Sequence, residues 1–246
     1  MEVNIQDNVN PHFKDVWTTS KPYNVLKGGR NSFKSSVIAL LLVFMVIPFL
    51  IAGKKANVVV IRKVGNTIRD SVFLKIQWAL NKFGLSGRFK ATVSPFKIQD
   101  TVTGSCFYFY GQDDFQKLKS NDIGNIIAVW YEEAAEFSSE EDFDQSNVTF
   151  MRQKHPDVDF VKFFWSYNPP RNPYNWINEW TDRVADNDNY LVHSSSYLND
   201  ELGFVTEQML EDIRRIKEND YTTGTYIWVS RLVLVQTCTT WICLNA

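Results

Sequence analysis

The chain has 246 residues, of which 44% are hydrophobic and 22% charged, a composition typical of a globular protein large enough for a substantial core. Its formal net charge of −2 excludes a general electrostatic attraction to nucleic acid, so any contact with DNA depends on a local basic surface. Three scattered cysteines exclude a disulfide scaffold and a cysteine-based zinc site, and residues 1–14 are too polar for a signal peptide.

The first distinctive segment is KGGRNSFKSS, residues 27–36. It matches the phosphate-binding loop pattern G-x-x-x-x-G-K-[ST] through Gly28, Lys34 and Ser35, but Phe33 stands where the pattern has its second glycine. The backbone N–H groups of such a loop and the start of the following helix bind phosphate. We expect Lys34 to reach the β- and γ-phosphates of ATP and Ser35 to hold Mg²⁺. The other nucleotide-binding residues expected from the loop are Gly29, Asn31, Ser32, Phe33 and Ser36.

Residues 37–52, VIALLLVFMVIPFLIA, are almost entirely apolar. A membrane-spanning helix needs about 20 apolar residues, and this run is shorter and contains Pro48. Because it directly follows the phosphate-binding loop, we favour a helix buried against a sheet over a membrane-spanning helix.

The rest of the chain alternates between strand-like and helix-like patterns. Strands are predicted at residues 56–63, 126–131, 158–165 and 190–194, with a hairpin or meander at 89–110. Helices are predicted at residues 67–83, 113–119, 140–154, 174–184 and 206–219. This order predicts an α/β fold: a mainly parallel sheet with helices on both faces, an edge β-meander and a small C-terminal lid at about residues 190–220.

Two acids follow the predicted strand at residues 126–131. Because parallel strands end at the ligand crevice, we expect Glu132 to bind Mg²⁺ through water and Glu133 to activate the water that attacks the γ-phosphate. The alternative is a helix start, where acids favour the helix dipole. The phosphate-binding loop upstream favours the catalytic interpretation.

Two further strand ends carry polar residues. A short side chain in Ser166-Tyr167-Asn168 is placed to hydrogen-bond the γ-phosphate, although a plain Asn-Pro turn is favoured for this segment taken alone. Arg62 and Lys63 either contact DNA phosphates or are simply solvated, and the second interpretation is favoured.

Five segments of the sequence are considered together: KGGRNSFKSS, VVVIRK, TGSCFYFYGQDDFQKLKS, IIAVWYEEAAEF and FFWSYNPP. In their order and spacing they resemble the large terminase subunit of tailed bacteriophages. The resemblance extends over about residues 17–221. It implies an ASCE-type P-loop ATPase domain at residues 1–221 that hydrolyses ATP with Mg²⁺ and drives double-stranded DNA into the procapsid.

The family resemblance also implies partners and a location. The partners are the phage DNA, the small terminase subunit and the portal protein. The chain is expected to form a ring of identical subunits when docked, with a monomer in solution as the alternative. We expect it in the host bacterial cytoplasm, without membrane association.

The resemblance assigns roles to five residues of the nucleotide site. Lys34 and Ser35 match the phosphate and magnesium ligands of the family, and Glu132 and Glu133 match its magnesium-linked and catalytic acids. Arg30 matches an arginine that triggers hydrolysis in the same subunit or a neighbouring one. The catalytic set implied is therefore Glu133, Arg30 and Lys34.

Other matches concern coupling and base binding. Ser166 and Asn168 fall in the family's coupling motif, which relays hydrolysis to movement. Trp17 and Tyr23 lie where the family places its adenine-contacting segment. Phe33 departs from the usual glycine or alanine, which puts the detailed loop geometry in question.

Residues 222–246 change abruptly in composition, with Arg231 as their one charged residue. The family continues here with a pattern like Y-R-Y-x-Y-L-G-E-P. Reading one base earlier, the codons of Trp228 and Val229 force a glycine, and permitted codons for their neighbours produce that pattern. We therefore hypothesise that residues 222–246 are an out-of-frame tail. The nuclease domain of full-length large terminases would then be absent, and no DNA cleavage is expected.

Two alternatives stay open at the level of sequence. One is a P-loop kinase or phosphotransferase, which would transfer phosphate to a small acceptor. The other is an inactive remnant that binds nucleotide without turnover. ATPase activity stimulated by DNA would favour the packaging motor over both.

Overall fold

The computed structural model describes residues 4–112 and 123–219. Its centre is an eight-stranded sheet with the order β3-β4-β5-β2-β6-β7-β1-β8. The strands are β1 (Tyr23–Gly28), β2 (Asn57–Arg62), β3 (Phe89–Val93), β4 (Phe96–Asp100), β5 (Cys106–Gly111), β6 (Ile126–Glu132), β7 (Lys162–Tyr167) and β8 (Tyr190–Ser195). The α-helices are α1 (Lys14–Thr18), α2 (Lys34–Ile51), α3 (Leu74–Lys82), α4 (Glu141–Arg152), α5 (Trp176–Val184) and α6 (Glu207–Asn219).

The two faces of the sheet carry separate apolar cores, because side chains alternate along each strand. Val58 and Val60 of β2 belong to the core that α2 and α3 cover. Val59 and Ile61 belong to the opposite core, which α4 and α5 cover. Strands β5, β2, β6, β7, β1 and β8 run parallel, and the inner ones are continuous apolar runs because both of their faces are buried. The predicted α/β fold with helices on both faces is confirmed.

Helix α2 contains the long apolar run. By length and composition alone it could cross a membrane. However, every residue from Val37 to Val43 is buried in the core beneath the sheet, and so are Val46 and Leu50. Burial on this scale supports the buried-helix interpretation.

The helix predicted at residues 67–83 is not continuous. Gly65–Thr67 forms a 3₁₀ turn and Arg69–Phe73 a π-helical turn before α3 begins. The Ser71 hydroxyl donates to the carbonyl of Thr67 at 2.7 Å, and such side-chain bonds compete with regular helix geometry.

The predicted edge meander is present. Strands β3, β4 and β5 pair antiparallel in chain order at the edge of the sheet, and β5 also pairs in parallel with β2, which joins the meander to the rest of the sheet. Two other predictions, the helix at residues 113–119 and the out-of-frame tail at 222–246, lie outside the described residues.

The predicted lid boundary is wrong. Tyr190–Ser195 is strand β8 of the central sheet, because β1 otherwise presents an open edge and β8 pairs with it along its whole length. Of the predicted lid, the described residues after β8 lie outside the sheet. There Tyr197 and Ile213 form a small core of their own, against which Val205 and Leu210 pack.

Candidate active site

The loop between β1 and α2 has an unusual backbone. Asn31 and Phe33 adopt positive φ angles of 56° and 65°, in the left-handed region that glycine adopts without steric cost. This explains why the phosphate-loop pattern has glycine where Phe33 stands. The Phe33 ring packs edge-on against Phe204, with their centroids 5.6 Å apart, and against the main core. That packing offsets the backbone strain.

Gly28 marks the point where the loop leaves the sheet. A Cβ atom here would lie 2.1 Å from the backbone oxygen of Ser195 on β8. Residue 28 must therefore be glycine for β1 and β8 to pair at this end of the sheet.

The Lys34 side chain folds back over the loop. Its Nζ lies 2.9 Å from the Gly28 oxygen, 3.0 Å from the Gly29 oxygen and 2.9 Å from Ser32 Oγ. It also donates to Asn168 Oδ1 at 3.1 Å. Burial lowers the pKa of Lys34 to about 8, although two nearby glutamates oppose the shift. Phosphate oxygens are stronger acceptors for an ammonium group than these neutral oxygens, so the Lys34 ammonium group is well placed to exchange them for a bound phosphate.

Glu132 ends β6 beside the start of α2. Ser35 Oγ donates to Glu132 Oε1 at 3.3 Å, and Arg62 Nε lies 3.0 Å from Glu132 Oε2. The pKa of Glu132 is raised to about 7. Burial is the largest cause and repulsion from Glu133 the next, while Arg62 and Ser35 oppose the shift.

Glu133 follows directly and has φ 55° and ψ 48°, in the left-handed region. Strained residues of this kind persist where surrounding structure holds them, often at functional sites. Burial is the largest cause that raises the pKa of Glu133, and the charge of Glu136 is the next. The positive charges of Arg62, Lys34 and Arg30 oppose the shift. A carboxyl group whose pKa is raised in a cleft is a candidate general base.

Lys34, Glu133 and Asn168 line a cavity of about 570 Å³. A second cavity of about 470 Å³ adjoins it and is lined by Ser35 and Glu132. Of the sequence-predicted residues, those lining the first cavity are Gly29, Arg30, Asn31, Ser32, Phe33, Lys34, Ser35, Ser36, Glu133 and Asn168. The lining residues that the sequence did not predict are Lys75, Phe204, Val205 and Met209.

The structure does not bring the two predicted adenine-contacting residues to this cavity. Tyr23 lies at the opposite end of β1 from the loop and stacks on Tyr190. Trp17 packs against Phe44 of α2 and lines a separate cavity of about 430 Å³ with residues of the N-terminal segment. Tyr23 is remote because it lies five residues before Gly28 along β1, a distance of about 17 Å.

The two predicted coupling residues have different positions. Ser166 is buried in β7, where its Oγ accepts a hydrogen bond from Trp130 Nε1 at 2.9 Å, and it does not line the cavity. Asn168, two residues later, lines the cavity and contacts Lys34. The side chain that reaches the cavity from the end of β7 is therefore that of Asn168.

The basic pair at the end of β2 has internal partners. Arg62 is 11% exposed and faces Glu132. Lys63 Nζ lies 3.4 Å from Asp142 Oδ2 and donates a hydrogen bond to Ser138 Oγ at 2.9 Å. These contacts disfavour the DNA-contact interpretation for both residues. Strands β2 and β6 are parallel neighbours, and Ile61 pairs with Tyr131, so the next residues, Arg62 and Glu132, lie side by side. The sequence does not show this contact because it does not show which strands are neighbours.

The comparisons with known proteins agree on one family. A family model described as phage terminase large subunit matches residues 20–229. The chain is 32% identical over 229 residues to the terminase large subunit of Bacillus phage SPP1, which covers 89% of this chain and 52% of that protein. It is 29% identical over 232 residues to the PBSX phage terminase large subunit of Bacillus subtilis strain 168, covering 86% of this chain and 50% of that protein. The chain thus spans about half the length of the curated relatives it matches.

Solved structures show the same fold at low sequence identity. The large terminase of a thermophilic bacteriophage has a TM-score of 0.68 at 18% identity, covering 90% of this chain and 52% of that one. The large terminase of bacteriophage HK97 has a TM-score of 0.66 at 12% identity, covering 90% and 50%. A further structure of the thermophilic phage enzyme, with a TM-score of 0.65 at 17% identity over 90% of this chain and 51% of that one, is a complex with ATP-gamma-S.

Proposed function

Because the chain belongs to the phage terminase large-subunit family, we propose that it is the ATP-hydrolysing motor domain that drives double-stranded DNA into a procapsid. The observation that carries the proposal is the 570 Å³ cavity, which brings together Lys34, Glu133 and Asn168 from three separate elements. The large terminase of the thermophilic phage, which shares this fold, has been solved with ATP-gamma-S and with ADP. Those complexes support ATP as the ligand of this cavity.

Binding begins with the loop and the start of α2. Backbone N–H groups of residues 29–34 and the positive end of the helix dipole attract the triphosphate. The Lys34 ammonium exchanges its contacts with Gly28 and Gly29 for phosphate oxygens and stabilises the charge that develops on the transferred phosphoryl group. Arg30 is exposed at the cavity rim, where it supplies a further positive charge.

The residues present fit a magnesium ion. Ser35 and Glu132 offer hydroxyl and carboxylate oxygens, the donors that Mg²⁺ prefers. Glu132 Oε2 is buried and receives no hydrogen bond from the described part of the chain, but its ion-pair partner Arg62 Nε lies 3.0 Å away, so a bound Mg²⁺ would compete with that guanidinium group. When bound there, Mg²⁺ would neutralise phosphate charge.

Hydrolysis requires a positioned water, and Glu133 is the residue placed to hold it. Its carboxylate enters the cavity from the strained turn after β6, and its raised pKa brings it towards the range of an effective general base. Asn168 contacts Lys34 from the end of β7, so it can report a change at the phosphates to the rest of the sheet.

The packaging role extends the proposal to partners. We infer that the chain acts on double-stranded phage DNA together with the small terminase subunit and the portal protein, as a ring of identical subunits in the host cytoplasm. The support is membership of the family and the fold shared with DNA-packaging motors, including the phi29 packaging ATPase with a TM-score of 0.53 at 16% identity over 78% of this chain and 97% of that one.

The test is ATP hydrolysis with and without double-stranded DNA. We expect turnover that DNA stimulates. Glu133→Gln should reduce turnover by about a hundredfold or more, the usual effect of losing a general base, while ATP binding persists. The control is Glu179→Gln, an exposed residue in the first turn of α5, and this variant should hydrolyse ATP at the wild-type rate. Nucleotide binding without turnover in the wild-type chain would refute the motor assignment.

A further inference from the structure

Lys75 lies at the nucleotide site although it belongs to neither the loop nor the acid pair. It stands in the first turn of α3, and its Nζ lies 3.3 Å from Ser36 Oγ at the start of α2. Its side chain lines the 570 Å³ cavity with the loop and the 470 Å³ cavity with Ser35 and Glu132. Lys75 therefore reaches the start of α2 from the neighbouring helix, between both cavities.

The charge on Lys75 is not neutralised by an ion pair with any described side chain. Among the side chains that the structure describes, those of residues 4–112 and 123–216, no carboxylate lies within ion-pair distance of its ammonium group. The ring of Trp78, one turn further along α3, has its centroid 5.4 Å from Lys75 Nζ. An aromatic face attracts an ammonium group and restricts its position, but it does not cancel the positive charge.

Partial burial of the charged Lys75 side chain is unfavourable when no ligand is bound. The Lys75 side chain is half-buried, and burial lowers its pKa while the charge of Glu132 opposes the shift. A desolvated cation binds an anion more strongly than a fully hydrated one does. The ligand that suits it is therefore an anion placed against Ser36.

The position of Lys75 indicates which part of the nucleotide it meets. With ATP bound as proposed above, the transferred phosphoryl group and the attacking water would lie at the end of the cavity that Glu133 and Asn168 line. Lys75 approaches α2 at Ser36, two residues beyond Lys34. In that orientation of ATP, the phosphates closest to Lys75 would be those retained in ADP.

We propose that Lys75 is a second phosphate-binding cation, which binds the retained phosphates of ATP and ADP from the α3 side while Lys34 binds at the loop. This rests on the proposed function, since it takes ATP as the ligand of the cavity. It predicts an effect on nucleotide affinity rather than on the chemical step.

The experiment compares three variants of the full chain. Lys75→Met keeps the aliphatic packing on Trp78 and removes the charge, and Lys75→Arg restores a charge. Lys82→Met is the matched control, because Lys82 also lies over Trp78, at 6.0 Å, but in the last turn of α3. The probes are inorganic tripolyphosphate and ADP, each with Mg²⁺, measured by calorimetry. Thermal unfolding of each variant establishes that it is folded.

Lys75→Met should weaken both tripolyphosphate and ADP about ten- to a hundredfold, the usual range for losing a charged hydrogen bond. Lys75→Arg should recover most of the affinity, and Lys82→Met should bind as the wild type does. Under saturating ATP, turnover of Lys75→Met should stay within about threefold of wild type, because only binding is weakened.

The possible failures are distinguishable. Wild-type affinity of folded Lys75→Met for tripolyphosphate would overturn the role of Lys75 and leave the ATPase proposal standing. A second outcome combines two results: Lys75→Met binds tripolyphosphate more weakly than the wild type, and the wild type does not hydrolyse ATP. That outcome would support the phosphate site at Lys75 and refute the motor assignment. A loss of turnover at saturating ATP in Lys75→Met with unchanged affinity would assign the residue to the chemical step and overturn the proposal.

Discussion

Phe33 combines backbone strain with side-chain packing, and two substitutions separate these effects. Its φ of 65° suits glycine, whereas its ring packs against Phe204. Phe33→Gly and Phe33→Ala both remove the ring, so both lose the same aromatic contact, worth about 0.5–1.5 kcal/mol beyond burial. In the folded state they differ in whether the backbone strain remains.

The difference between the two variants follows from the backbone. An L-residue in the left-handed region costs about 1–2 kcal/mol relative to its preferred conformation. Glycine avoids this cost but gives the unfolded chain about 0.4–1 kcal/mol of additional conformational freedom. Phe33→Ala should therefore be less stable than Phe33→Gly by about 1 kcal/mol, or about 2–4 °C in Tm for a chain of this size.

Urea denaturation and thermal scans of both variants measure this difference. The control is Phe204→Ala, which removes the partner ring and leaves the loop backbone unchanged. Combining it with Phe33→Ala should show a coupling of about 1 kcal/mol between the two rings. If Phe33→Ala proves as stable as Phe33→Gly, the strain assigned to residue 33 is wrong.

Two further predictions concern the sheet. Gly28→Ala should abolish nucleotide binding, because the added Cβ would lie 2.1 Å from the Ser195 oxygen and force β1 and β8 apart; retained ATP binding by calorimetry would contradict this. Burial raises the pKa of Asp100, but hydrogen bonds from Arg88 and Thr103 outweigh it and lower the pKa from about 3.8 to about 2. The carboxylate should therefore contribute about 2 kcal/mol of stability above pH 4, lost as the pH falls from about 4 to about 2. Urea titrations of wild type and Asp100→Asn should converge at the acidic end of that range, and a constant difference would refute the assignment.

Local patterns in the sequence were sufficient for much of the site. The loop at residues 27–36 and the acids after β6 are short motifs whose meaning depends on neighbours along the chain, and the structure places Lys34 and Glu133 around one cavity. The buried strands and the core helix α2 were also predicted, because continuous apolar runs indicate burial on all sides. The strand at Tyr190–Ser195 was predicted at the right residues, but it was assigned to the lid, whereas it pairs with β1 in the central sheet.

Contacts between segments far apart in the chain could be identified only from the tertiary structure. Arg62 faces Glu132 because β2 lies next to β6, and Lys75 reaches Ser36 because α3 packs beside α2. Tyr23 was expected at the nucleotide although the direction of β1 carries it to the opposite end of the sheet. The sequence by itself determined which chemical groups the site contains, since motifs and apolar periodicity act over a few residues. Strand order and helix packing decided which charges meet there, because those contacts join segments far apart in the chain.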